Sequence, residues 1–185
     1  MPEEMNRIVT DHLSDYLLTP TQAANDNLQK EGLHSMNVGD LMVDLIYGVA
    51  EPGKYVLATI HRASNTDTKE KLTEVIEYLK EFDMNVIFPM HPRTKKMIEK
   101  FDIDMGDIEV IDPVGFKEML QLESKAALIV TDSGGVQREA YILGVPFIIM
   151  RDTNEWSELQ GGPTGLLGED TTVKTVLCIR NILDV

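Results

Sequence analysis

From residue 55 onward the apolar positions follow two alternating rhythms. Short, mostly apolar stretches at 55–60, 86–90, 108–111, 128–131 and 146–150 read as strands, and Leu128, Ile129 and Val130 form an apolar run as in a strand buried on both faces. Between them apolar residues return every three or four positions. Leu72, Val75, Ile76 and Leu79 form one such stripe and predict an amphipathic helix over 68–82. Shorter stretches predict helices over 94–101, 116–122 and 136–143, with a long loop to 165 and a closing helix over 171–183. Strands and helices alternating through short connections imply an α/β fold: a Rossmann-like parallel sheet with helices on both faces.

The first fifty residues lack this alternation. Pro2, then Glu3 and Glu4 at the positive end, and apolar Met5, Ile8, Val9 and Leu13 predict a helix over 2–16. A brief strand at 16–18, a helix starting at 19–21 and stopping near Gly32, a turn at 37–40 and a short helix at 41–46 follow. The turn at 51–54, Glu-Pro-Gly-Lys, is the best break between segments.

In open parallel sheets ligands bind outside the carboxyl ends of the strands. His61 and Arg62 lie just after the first strand of the series, His91 and Arg93 after the second, Ser133 to Gly135 after the fourth, and Arg151 after the fifth. These clusters should meet on one edge. The other two histidines, His12 and His34, sit on a predicted helix and in a turn.

The stretch Ala127-Leu-Ile-Val-Thr-Asp-Ser-Gly-Gly-Val-Gln-Arg-Glu-Ala140 reads as strand, tight turn and helix. Asp132 and Ser133 can cap that helix. Gly134 and Gly135 fall in its first turn, where each costs up to about 0.8–1.0 kcal/mol relative to alanine. Bare N–H groups at a helix start suit an anion such as phosphate. Glu139, one turn on, can accept bonds from two neighbouring hydroxyls, as on a ribose. A sharp structural turn with a surface glutamate is the competing reading, and these residues alone leave both open.

Composition narrows the field. With 43% apolar residues among 185, a real core is possible; aromatics are only 6%, so the ten methionines must fill part of it. The net charge of −14 argues against nucleic acid and anionic membrane as partners. One cysteine permits neither an internal disulfide nor a cysteine zinc cage. No signal peptide is read at the start, and apolar runs fall well short of the ~18 residues of a membrane span. The cytoplasm is the expected compartment.

Several motifs, taken together, resemble the non-hydrolysing UDP-N-acetylglucosamine 2-epimerases. They are Met1-Pro-Glu-Glu-Met-Asn-Arg7, His61-Arg62 with Asn65, Pro89-Met-His-Pro92, Thr131-Asp-Ser-Gly-Gly-Val-Gln-Arg-Glu139, Gly144-Val-Pro146, and Arg151-Asp-Thr153 with Glu155. The resemblance implies half of a glycosyltransferase-B type fold, with residues 1–38 as the tail of a first Rossmann-like domain and 39–185 as a UDP-binding domain shortened at its C-terminal end. It implies that Ser133, Gly134, Gly135 and Glu139 hold UDP. His61 would stand at the diphosphate, and Glu3 would match an acid/base carboxylate. Arg62 and His91 would correspond to positions that bind a second, activating UDP-sugar in bacterial members.

The implied reaction expels UDP from C1 as a proton leaves C2, then adds UDP back after the proton returns on the other face. It needs no metal or redox cofactor. UDP-N-acetylglucosamine and UDP are the implied ligands. Self-association, or a separate chain supplying the first domain, is the expected partnership. Two positions depart from the family pattern: Ser64 replaces a carboxylate, and Trp156 replaces an arginine after Glu155. A UDP-holding half-domain without activity of its own and a glycosyltransferase-B nucleotide domain are the alternatives.

Overall fold

The computed structural model describes residues 2–46 and 53–151. The loop and helix expected after 151, and part of the 51–54 turn, lie outside the described residues. Contacts divide the chain into two units, Met1–Leu45 and Ile46–Val185. The division falls between the domain boundary expected at 38/39 and the 51–54 turn.

The first unit opens with α1, Pro2–Leu13. On it Arg7 pairs with Glu4 and Asp11, and reaches Glu31 at 2.8 Å. Met5, Val9 and Leu13 remain exposed. After β1, Leu18–Thr19, comes α2, Gln22–Lys30, capped where Thr21 Oγ1 accepts from the Ala24 amide. The expected turn at 37–40 is preceded by a strand that periodicity did not show: β2, Met36–Asn37, pairs parallel with β1. It satisfies the edge of β1, the Met36 amide donating to the Leu17 carbonyl and the Val38 amide to that of Thr19. A short helix, α3, spans Leu41–Leu45.

The second unit is the alternating layer. Its strands are β3 (Tyr55–Thr59), β4 (Asn85–Pro89), β5 (Glu109–Ile111), β6 (Leu128–Thr131) and β7 (Phe147–Ile149). Its helices are α4 (Ala63–Thr66), α5 (Lys69–Lys80), α6 (Pro92–Phe101), α7 (Phe116–Ser124) and α8 (Gly134–Leu143). All strand pairings are parallel, in the order β5-β4-β3-β6-β7. This is the Rossmann-like α/β sheet expected from the sequence.

Central β3 contributes Val56, Leu57 and Ala58, all fully buried, as a strand covered on both faces requires. The predicted stripe of α5 is buried against this sheet. The chain builds outward from β3 through β4 to β5, then crosses back and builds the other way through β6 and β7. Right-handed crossovers therefore set α5 and α6 on one face and α7 and α8 on the other. They also open a crevice where the order reverses, between the carboxyl ends of β3 and β6. No helix among the described residues is long and apolar enough to cross a membrane.

Candidate functional site

The site begins with two threonines that end neighbouring strands. Thr59 and Thr131 are register partners, and their buried hydroxyls lie 2.6 Å apart. Each chain then leaves the sheet, and Asp132 binds the two departures together. Its side chain is fully buried. The carboxylate accepts from the His61 amide at 3.1 Å, the Arg62 amide at 2.9 Å and Asn65 Nδ2 at 2.9 Å. Asn65 also donates to the Met150 carbonyl at 2.8 Å, which brings in the end of β7. Arg62 Nε donates to the Asp132 carbonyl at 2.9 Å. One carboxylate thus fixes the loops after β3 and β6 directly, and the one after β7 through Asn65. The expectation that Asp132 helps to cap α8 is corrected here: its oxygens face the β3 loop, whose buried amides have no strand to pair with.

Ser133 is the cap. Its Oγ accepts from the Val136 amide at 3.4 Å, while its own amide donates to Thr131 Oγ1 at 2.9 Å. α8 then starts at Gly134. Gly135 is exposed, and a Cβ built on it would meet only Ser133 Oγ, at 3.8 Å, an ordinary contact. Neither packing nor backbone conformation asks for glycine at 135. Gly144, which closes the same helix at φ 72°, differs in this respect, because that conformation strains any side chain.

His61 projects from the β3 loop with its ring 40% exposed and Nδ1 3.3 Å from Asp132 Oδ1, close enough to pair when the ring is protonated. His91 is the cap of α6. Its Nδ1 accepts from the Arg93 amide at 3.1 Å, which leaves the proton of the neutral ring on Nε2. The two imidazoles stand 5.5 Å apart, so one edge of the sheet does bring them together. Arg93 turns aside to Asp67 and Thr66. Arg151 is buried just beyond β7. Glu3 lies in α1 of the other unit; its side chain is outside the described residues.

One acidic residue not singled out from the sequence belongs in this description. Glu123, in the last turn of α7, is fully buried, and no N–H or hydroxyl donor reaches either carboxyl oxygen. Burial, and then the charge of Glu139 on α8, push its carboxyl up to about 10. Its signal was present: Phe116, Met119, Leu120 and Glu123 fall at i, i+3, i+4 and i+7, so Glu123 occupies an apolar-stripe position.

A sequence profile of UDP-N-acetylglucosamine 2-epimerases matches residues 1–177. The chain belongs to this family. It is 44% identical over 181 residues to a UDP-N-acetylglucosamine 2-epimerase homolog of Methanococcus maripaludis, covering 85% of this chain and 51% of that one. It is 45% identical over 177 residues to the UDP-2,3-diacetamido-2,3-dideoxy-D-glucuronate 2-epimerase of Pseudomonas aeruginosa, covering 86% and 50%. Among solved structures it resembles the Methanocaldococcus jannaschii UDP-GlcNAc 2-epimerase in complex with UDP-GlcNAc and UDP, with a TM-score of 0.79, 38% identity, and coverage of 91% and 54%. The chain spans about half the length of the relatives it matches. In this chain the motifs at 61–65, 89–92 and 131–139 meet at the carboxyl ends of β3, β4 and β6.

Proposed function

We propose that this chain is the nucleotide-holding part of a UDP-N-acetylglucosamine 2-epimerase, and that residues up to about Gly39 form the tail of that enzyme's first Rossmann-like domain. The observation that carries the reading is the glycine start of α8. An exposed glycine with no packing reason stands behind a capping serine, at the point where the strand order reverses. In this reading the Ser133 hydroxyl and the backbone at Gly134 and Gly135 receive the diphosphate, and Glu139 accepts from the ribose hydroxyls. His61 stabilises the charge that develops on UDP as the C1–O bond breaks with its electron pair. The proton on C2 goes to a carboxylate, with Glu3 as the candidate, giving the 2-acetamidoglucal; its return on the opposite face and re-addition of UDP complete the epimerisation. Arg62 and His91 are proposed to meet a second UDP-sugar.

The proposed compartment is the cytoplasm, and the proposed partner is a further copy or a chain carrying the first domain. A second reading of the sugar comes from one figure: identity to the diacetamido-glucuronate epimerase is 45%, level with the 44% to the UDP-N-acetylglucosamine 2-epimerase homolog and above the 38% to the UDP-GlcNAc epimerase structure. Titration calorimetry with UDP on the wild type and Gly134→Val tests the nucleotide site, and unchanged heat in the variant rejects it. Epimerase assays with both sugars, on the chain alone and after adding the first domain of a relative, separate the enzyme from the inert half-domain.

A further inference from the structure

The first unexplained feature of the second unit is a carboxyl group where the helix pattern calls for leucine. Glu123 lies on the apolar stripe of α7, at the negative end of that helix dipole, and is the buried residue of that helix; no N–H or hydroxyl donor of another residue reaches either of its oxygens. Neither helix stability nor core packing favours it there. α7 packs against α8, which carries Glu139, and among the described residues Glu139 is the ionisable neighbour acting on Glu123. Glu139 itself is only half-buried. Two carboxylates cannot both remain charged at close range in such a setting; the fully buried member keeps its proton. A protonated carboxyl carries one O–H donor, and an ionised carboxylate only accepts.

We infer that Glu123 is a positioning residue: its carboxyl donates a hydrogen bond to the Glu139 carboxylate and fixes the direction in which Glu139 offers its free oxygen to the ribose diol of a bound uridine nucleotide. The inference rests on the reading of Glu139 as the ribose acceptor. It gives the buried acid a task that leucine cannot perform. Glutamine can perform it, because its amide also donates.

The test compares UDP with 2′,3′-dideoxyuridine diphosphate by titration calorimetry. The wild type is expected to prefer UDP by about tenfold or more, the worth of a hydrogen bond to a charged group. Glu123→Gln should keep that preference. Glu123→Leu and Glu123→Met should fold, since the stripe is apolar, yet lose most of the preference while still binding both ligands through the diphosphate. In a Glu139→Ala background, Glu123→Leu should change nothing further. Retention of the full preference by the apolar variants overturns the inference and leaves the ribose reading standing. Absence of any preference in the wild type overturns both. Difference infrared spectroscopy of the wild type needs no apolar variant. The protonated-carboxyl band missing from Glu123→Gln should shift on adding UDP but not the dideoxy analogue, and an unmoved band also overturns the inference.

Discussion

Replacing Asp132 by asparagine keeps shape and volume but exchanges one acceptor oxygen for a donor. In its better orientation the asparagine oxygen takes the place of Oδ2 and keeps the Arg62 amide, the Asn65 amide and one of the two His61 contacts. Those bonds change from charge-assisted to neutral, a loss of about 1 kcal/mol each. The new amide then faces the His61 amide, where Oδ1 stood at 3.1 Å, so donor meets donor for roughly another 1 kcal/mol. Asp132→Asn should therefore cost about 3–4 kcal/mol. Asp132→Ala, which strands all three donors, should cost about 5 kcal/mol or more. Against a typical stability of about 5–15 kcal/mol these are large fractions. Urea unfolding of the second unit is the assay. With a slope of about 2 kcal/mol per molar, the Asp132→Asn midpoint should fall by about 1.5–2 M at unchanged slope. A shift below about 0.5 M would mean that the loops after β3 and β6 are held by something other than this carboxylate, and the account of the site given above would be wrong.

Gly135→Ala should stabilise the chain by about 0.5–1 kcal/mol, because a helix interior favours alanine, while weakening UDP binding. Thermal melts and calorimetry read the two effects, and a variant that loses both would point to a packing role instead. Glu123→Gln should gain stability relative to the wild type as pH rises. Burial pushes the folded carboxyl up to about 10 from an ordinary 4.5, so the native state binds the extra proton across that window and wild-type stability declines through it, at up to about 1.4 kcal/mol per pH unit. A difference that stays flat between pH 5 and 9, which is most of that window, would refute the burial argument. His61→Ala, whose ring is partly exposed, should leave the melting temperature within a degree or two of the wild type (about 0.5 kcal/mol) and sharply lower turnover in any assembly with a first domain. A severe melting defect with intact turnover would make it structural.

The second unit was legible because its elements are long and its two periodicities differ. The stripe of α5 and the runs of β3 and β6 each repeat enough to declare themselves. α4 was not legible: four residues, Ala63 to Thr66, are too few to show a period. β2, two residues long, exists only because β1 offers an edge. That His61, Arg62, His91 and Ser133 would share one edge follows from strand–helix alternation alone. Where along that edge the crevice opens depends on strand order, which non-local pairing decides. The task of Asp132 was hidden for the same reason, since its partners are some seventy positions away in sequence. Glu123, by contrast, could have been found: a carboxylate on an apolar stripe is a local contradiction.

The carboxylate under the crevice also bears on the thermodynamics of occupancy. Loops that wait for a ligand to order them charge that entropy to association, and their binding heats are large and strongly compensated. Here the turns after β3 and β6 are stapled by Asp132 through bonds internal to the chain, so the loss of freedom belongs to folding instead. A nucleotide arriving at the start of α8 meets a rigid rim. Its association should be fast, its heat-capacity change small, and its affinity insensitive to mutations that loosen more distant surface loops.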